Sequence, residues 1–132
     1  MSKKEGLFSV ELTEEQMKLE LLFADFIKTH VNPVATSIDR EDRIPQIIFN
    51  QMAKIGIWGS VVPKKFDGQE WDNLTLGLLS KHLGKGNASI LSLFIVHSMV
   101  CAVLSRWGSN EQKQEWLPSL AKGTALGALA LT

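Results

Sequence analysis

Ile90-Leu91-Ser92-Leu93-Phe94-Ile95-Val96-His97-Ser98-Met99-Val100-Cys101-Ala102-Val103-Leu104-Ser105-Arg106-Trp107, closed by Gly108 and continued at once by Ser109-Asn110-Glu111-Gln112, decides the fold class. The run shows no period-two alternation and no internal turn signal, so it reads as one long helix, with Ser89 as its N-cap. Its most apolar part, 90–104, contains Ser92, His97 and Ser98 and stops short of the ~20 residues a membrane span needs. The expectation is a buried core helix. Ser109 and Gln112 form a capping box, each side chain reaching the other's backbone N–H. That box starts a short helix through Trp116, with Pro118 and Gly123 punctuating the residues after it.

Toward the N-terminus the same punctuation recurs. Thr13 and Gln16 make a second capping box, with Leu12 and Met17 placed as a hydrophobic staple. Behind it Met17, Leu21, Ala24, Ile27 and Val31 recur at helical spacing, widened by Leu22 and Phe26. Asn32-Pro33 is expected to interrupt this helix, because proline disfavours the helical conformation of its predecessor. Asp39-Arg40-Glu41-Asp42-Arg43 reads as a solvated connection or helix end. Pro45 opens a helix carrying Ile47, Ile48, Met52 and Ile55, which Gly56 closes in a left-handed conformation. Asp72 caps a further helix with Leu74, Leu76, Leu78, Leu79 and Leu83, and Gly84-Lys85-Gly86-Asn87 breaks the chain after it. The sum is an all-α, orthogonal or up-down bundle of five or six helices.

Composition agrees with one such domain. In 132 residues, 45% are apolar and 21% charged, enough for a core and too apolar for disorder. Fourteen Lys/Arg balance 14 Asp/Glu, which removes the electrostatic drive of a nucleic-acid binder or a polybasic membrane-surface protein. Cys101 is the only cysteine, so no internal disulfide forms, and a reducing, cytoplasmic compartment is expected. The polar start, Met1-Ser2-Lys3-Lys4-Glu5-Gly6, has no apolar core of a signal peptide behind it.

The residues offer little chemistry by themselves. Gly84-Lys85-Gly86-Asn87 lacks the third glycine and the preceding strand of a dinucleotide fingerprint. His97 and Cys101 share a helix face, but with no second cysteine they read as a hydrogen-bonded core histidine and a small hydrophobe, not metal ligands. No two carboxylates pair for acid–base work. Trp58, Trp71, Trp107 and Trp116 have no basic tracts between them and read as core and interface residues. The terminal Ala125-Leu126-Gly127-Ala128-Leu129-Ala130-Leu131-Thr132 is uncharged and mostly apolar: a helix end, or a first strand without partners.

Four stretches resemble the N-terminal helical domain of acyl-CoA dehydrogenases, in order and spacing. They are Asp39-Arg40-Glu41-Asp42-Arg43-Ile44-Pro45; Gly56-Ile57-Trp58-Gly59 through Val62-Pro63; Trp107-Gly108-Ser109-Asn110-Glu111-Gln112-Lys113 with Trp116-Leu117-Pro118-Ser119-Leu120-Ala121-Lys122-Gly123; and Ala128-Leu129-Ala130-Leu131-Thr132. The third is the most specific. The resemblance implies a helical domain over 1–124 and the start of a truncated FAD-binding β domain over 125–132.

It also implies a parent flavoenzyme in which a carboxylate, supplied from elsewhere, removes the α-proton of an acyl thioester while hydride passes to FAD. By that resemblance Leu91, Ser92, Ile95, Val96 and Met99 line one wall of the acyl pocket, while Leu129, Leu131 and Thr132 lie near the flavin. No catalytic residue and no metal ligand is expected in the chain. FAD is not expected to stay bound to it alone. The thioester is carried by coenzyme A or an acyl carrier protein, and the full-length parent is expected to be a homo-oligomer that binds neither nucleic acid nor membrane. One departure stands out: where many members read Gly-Gly-x-Gly, this chain has Asp67-Gly68-Gln69-Glu70, putting the backbone path there in question. The alternative from a different class is a stand-alone helical interaction module that kept the fold without the chemistry.

Overall fold

The computed structural model describes residues 11–131. Six α-helices occur in this order: α1 (Glu14–Phe26), α2 (Ala35–Glu41), α3 (Gln46–Lys54), α4 (Asn73–Gly86), α5 (Ala88–Trp107) and α6 (Asn110–Lys122). No strand occurs among the described residues, and 123–131 form a strap without regular structure. The chain packs serially, α1 on α4, α4 on α5 and α5 on α6.

Both capping boxes are present, at Thr13/Gln16 and Ser109/Gln112. Asp72 caps α4 by accepting the Thr75 N–H at 2.7 Å. Other local expectations are corrected by packing. The cap of α5 is Asn87, not Ser89; its Oδ1 accepts the N–H groups of Ser89 and Ile90 while its Nδ2 donates to Asp39. On α1 and the turn after it the buried face is Phe23, Phe26, Ile27 and Val31, whereas Met17 and Leu22 are exposed and Leu21 is 72% exposed.

Pro33 falls where the helix is interrupted, as expected, and Pro118 does not end its helix. Ahead of Pro33 the chain widens into a π-turn over Ile27–Val31 and passes through a 3-10 turn, Asn32–Val34, into α2. Pro118 lies inside α6, which continues until Gly123 closes it in the left-handed region. In α6 burial outweighs the proline penalty of ~3 kcal/mol: Leu117 is fully buried, and Leu120 and Ala121 nearly so.

Two clusters form the core. The larger joins α1, α3, α4 and the first half of α5 around Phe23, Ile48, Met52, Trp58, Leu79, Leu83 and Phe94. The smaller holds Val62, Cys101, Leu117, Leu120 and Ala121 between α5, α6 and the loop after α3. That loop folds on itself: the N–H groups of Gln69, Glu70 and Trp71 donate to the carbonyls of Gly59, Val62 and Ser60. It takes positive φ at Asp67 (66°) and Glu70 (52°), although neither is glycine. Left-handed backbone costs such residues ~1–2 kcal/mol. Glu70 recovers part of this by accepting the Lys64 N–H, and Asp67 pairs with Lys122 at 2.8 Å.

Gly77 gives the opposite case. It lies in the middle of α4 with nothing within 4 Å of where a Cβ would stand. Gly77→Ala should therefore raise stability by ~0.5–1 kcal/mol, measured by urea unfolding, because it lowers only the entropy of the unfolded chain.

Candidate functional site

α5 contributes one narrow stripe to the core: Ile90, Phe94, His97 and Cys101. Its opposite side is just as apolar and stays open. Ile95 is 42% exposed, Met99 47%, Val103 49% and Trp107 69%, a ridge with a residue on every helical turn. The expectation of a wholly buried helix is thus corrected. So is the length argument, since the 20 residues of α5 are long and apolar enough, by length and composition, to cross a membrane.

The five residues read as an acyl wall fall on one side of this helix. Ser92, Ile95 and Met99 are exposed, with Leu91 and Val96 half-buried beside them. Leu91 leans on the larger core cluster.

Beyond Met99 the ridge borders a groove of about 350 Å³ between the second half of α5, the start of α6 and the strap. Val100, Val103, Leu104, Trp107 and Gln112 line one side, Ala128 and Leu129 the other. Of the residues assigned from sequence to the acyl wall or the flavin site, only Leu129 lines it. Leu131 stands 82% exposed beyond it, and Thr132 lies outside the described residues. Val100, Val103 and Leu104 were missed, although their spacing, continued by Trp107, is the ordinary repeat of a helix face. Of the tryptophans, Trp58 is core and Trp71 meets Phe23 edge-on, whereas Trp107 and Trp116 are exposed.

The strap is held from beneath. The His97 ring is fully buried, with Nε2 3.0 Å from the Trp58 carbonyl and Nδ1 3.1 Å from the Gly127 N–H. An N–H needs an acceptor, so Nδ1 carries no proton and Nε2–H donates to Trp58. Both ring nitrogens are engaged. Burial holds the imidazole below its ordinary range, offset in part by the Trp58 and Leu120 carbonyls. The Cys101 thiol, 3.4 Å from Nε2, is pushed up to about 12 by burial and is no nucleophile near neutral pH. The arrangement offers an apolar ridge, an apolar groove and a fixed strap. Among the described residues that line the groove there is no acid, base or nucleophile.

Comparison with known proteins places this arrangement. Residues 13–124 match the family model described as acyl-CoA dehydrogenase, N-terminal domain. An acryloyl-CoA reductase (NADH) of Anaerotignum propionicum is 36% identical over 98% of this chain and 34% of its own length. The butyryl-CoA dehydrogenase of Megasphaera elsdenii shares the fold with a TM-score of 0.78 at 24% identity, over 90% of this chain and 32% of that one. A glutaryl-CoA dehydrogenase from Mycobacterium smegmatis, solved in complex with FADH2, also gives 0.78 at 24% identity, covering 87% and 30%. The chain spans about a third of the length of the curated relatives it matches.

Proposed function

The chain belongs to the acyl-CoA dehydrogenase family through its N-terminal domain, and on that premise we propose that α5 forms one wall of an acyl-thioester pocket and that the strap forms part of a flavin site. The observation carrying this reading is the second apolar face of α5. A helix that buries one stripe in its own domain and exposes another, equally apolar, is built to be covered by something apolar. Ile95 and Met99 would meet the acyl chain, with Leu91, Ser92 and Val96 flanking it. The residues from 125 onward would lead into a flavin-binding β domain. The thioester would be carried by coenzyme A or by an acyl carrier protein, within a homo-oligomeric enzyme.

The strap suits FAD in kind. Leu129 and Leu131 offer exposed apolar surface, and residues 125–131 carry no charge to set against a flavin ring. FAD, when bound, supplies the acceptor for the hydride leaving the acyl chain. What this chain does is hold the acyl chain, orient it and keep water from it.

A methyl-resolved NMR titration of the 132-residue chain with butyryl-CoA, beside free coenzyme A, tests the wall. Butyryl-CoA should shift the Ile95 and Met99 methyl signals, and coenzyme A alone should not. Met99→Glu should weaken that binding by roughly tenfold, the ~1.4 kcal/mol lost when an acyl chain meets a carboxylate. Its stability should stay within ~0.5 kcal/mol, as for other surface changes. Identical shifts from both ligands would remove α5 from the acyl pocket.

A further inference from the structure

His97 does more than fill the core. Among the described residues it is the only side chain that joins the strap to the loop after α3 by hydrogen bonds, and it does so from inside the protein. The contact is close. A Cβ at Gly127 would stand 2.7 Å from the Val100 Cβ, so the strap lies against α5 at a distance only glycine permits.

We propose that His97 is the positioning residue of the strap: its neutral ring, bridging the Trp58 carbonyl and the Gly127 amide, sets where the chain leaves the bundle and hence where Leu129 and Leu131 stand. The relevance to flavin rests on the strap reading above; the latch itself does not.

The latch has a built-in pH limit. A proton added at Nδ1 turns the acceptor into a donor facing the Gly127 N–H, and that bond is lost. No neighbouring charge among the described residues eases or blocks this step. Neither the strap, 123–131, nor the loop, 56–62, has an ionisable side chain. On α6 Lys122 is engaged by Asp67, and on α5 the Cys101 thiol stays protonated. The folded ring binds its proton less readily than an unfolded histidine, whose ordinary value is 6.5. The stabilisation from the latch is therefore fully present above that value and is lost as pH falls through the lower, folded one.

Nitrogen-15 labelling of the 132-residue chain tests this with no flavin in the sample. Long-range proton–nitrogen spectra at pH ~7.5 should show the Nε2–H tautomer of His97. The protection factor of the Gly127 amide, corrected for intrinsic exchange, should fall by roughly tenfold or more between pH ~7.5 and ~4.5 while α1 and α4 amides keep theirs. His97→Leu should abolish Gly127 protection at both pH values. His97→Gln retains an acceptor and a donor but cannot gain a proton, so it should keep part of the protection with no pH response.

An Nδ1–H tautomer in the unsubstituted chain would overturn the proposal, and that readout needs no variant to fold. So would unchanged Gly127 protection in His97→Leu, or an acid response in His97→Gln equal to that of the unsubstituted chain. Failure here leaves the Met99 titration untouched, and failure of that titration leaves the latch untouched.

Discussion

Trp58→Ala should lower the unfolding free energy by ~3–5 kcal/mol, the range for truncating a buried aromatic. The ring has no exposure, and its surroundings come from separate parts of the chain. It stacks on Phe49 of α3 at 5.8 Å and meets the His97 ring of α5 edge-on at 5.1 Å. Its Nε1–H donates to the Phe49 carbonyl at 3.0 Å. At the end of α6, Gly123 comes so near that a Cβ there would stand 2.2 Å from Trp58 Cδ1.

Truncation would empty the junction between the two core clusters and remove the bond that the Trp58 N–H makes to the Phe49 carbonyl. Neighbours held by helix backbone cannot close such a space, so a cavity penalty adds to the lost transfer energy. Trp58→Phe keeps most of the contact but not the N–H, and should cost less, ~1–2 kcal/mol. Urea unfolding monitored at the helical circular-dichroism band measures both. A loss below ~1 kcal/mol for Trp58→Ala would show that the junction is not where the domain is held together.

Gly68→Ala should cost ~3 kcal/mol or more, although it adds one methyl group at a half-buried loop position. The added Cβ would stand 1.9 Å from the Val62 carbonyl oxygen, a backbone atom that cannot swing away. Relief requires separating 59–62 from 69–71, which breaks the three backbone bonds joining them. At ~1 kcal/mol net for each bond, that sets the scale of the loss. The same substitution at Gly77 is expected to stabilise, so the pair isolates steric fit from helix propensity. Equal effects at the two sites, measured by the same denaturant series, would mean that the loop does not close as described.

Much of the local structure was legible in the residues. Thr13/Gln16, Ser109/Gln112 and Asp72 cap their helices as read, because a cap is a bond between a side chain and a backbone group two or three residues away. The same range explains Gly56, which takes positive φ just after α3. Asn87 shows where that reasoning needs help. Asn87 and Ser89 are both good caps, and Asn87 holds the position while also bonding Asp39, 48 residues away. Pro33 lies in an interruption as read, whereas Pro118 failed as a stop signal because the penalty it imposes is local, while the burial that overcomes it comes from other parts of the chain.

The candidate site was less legible, and α5 shows why. Its residues are apolar on every side, so their order declares a helix without declaring which face goes inward. Sequence alone determined an all-α domain, the caps of α1, α4 and α6, and the stretch from which a binding wall would be drawn. Tertiary structure alone decided that Phe94, His97 and Cys101 turn in while Ile95, Met99 and Val103 turn out. It also brought Gly127 to His97 across 30 residues of chain. Apolar burial has no direction of its own. Which face is covered depends on where α4, α6 and the Trp58 loop already stand, and no local pattern in α5 contains that information.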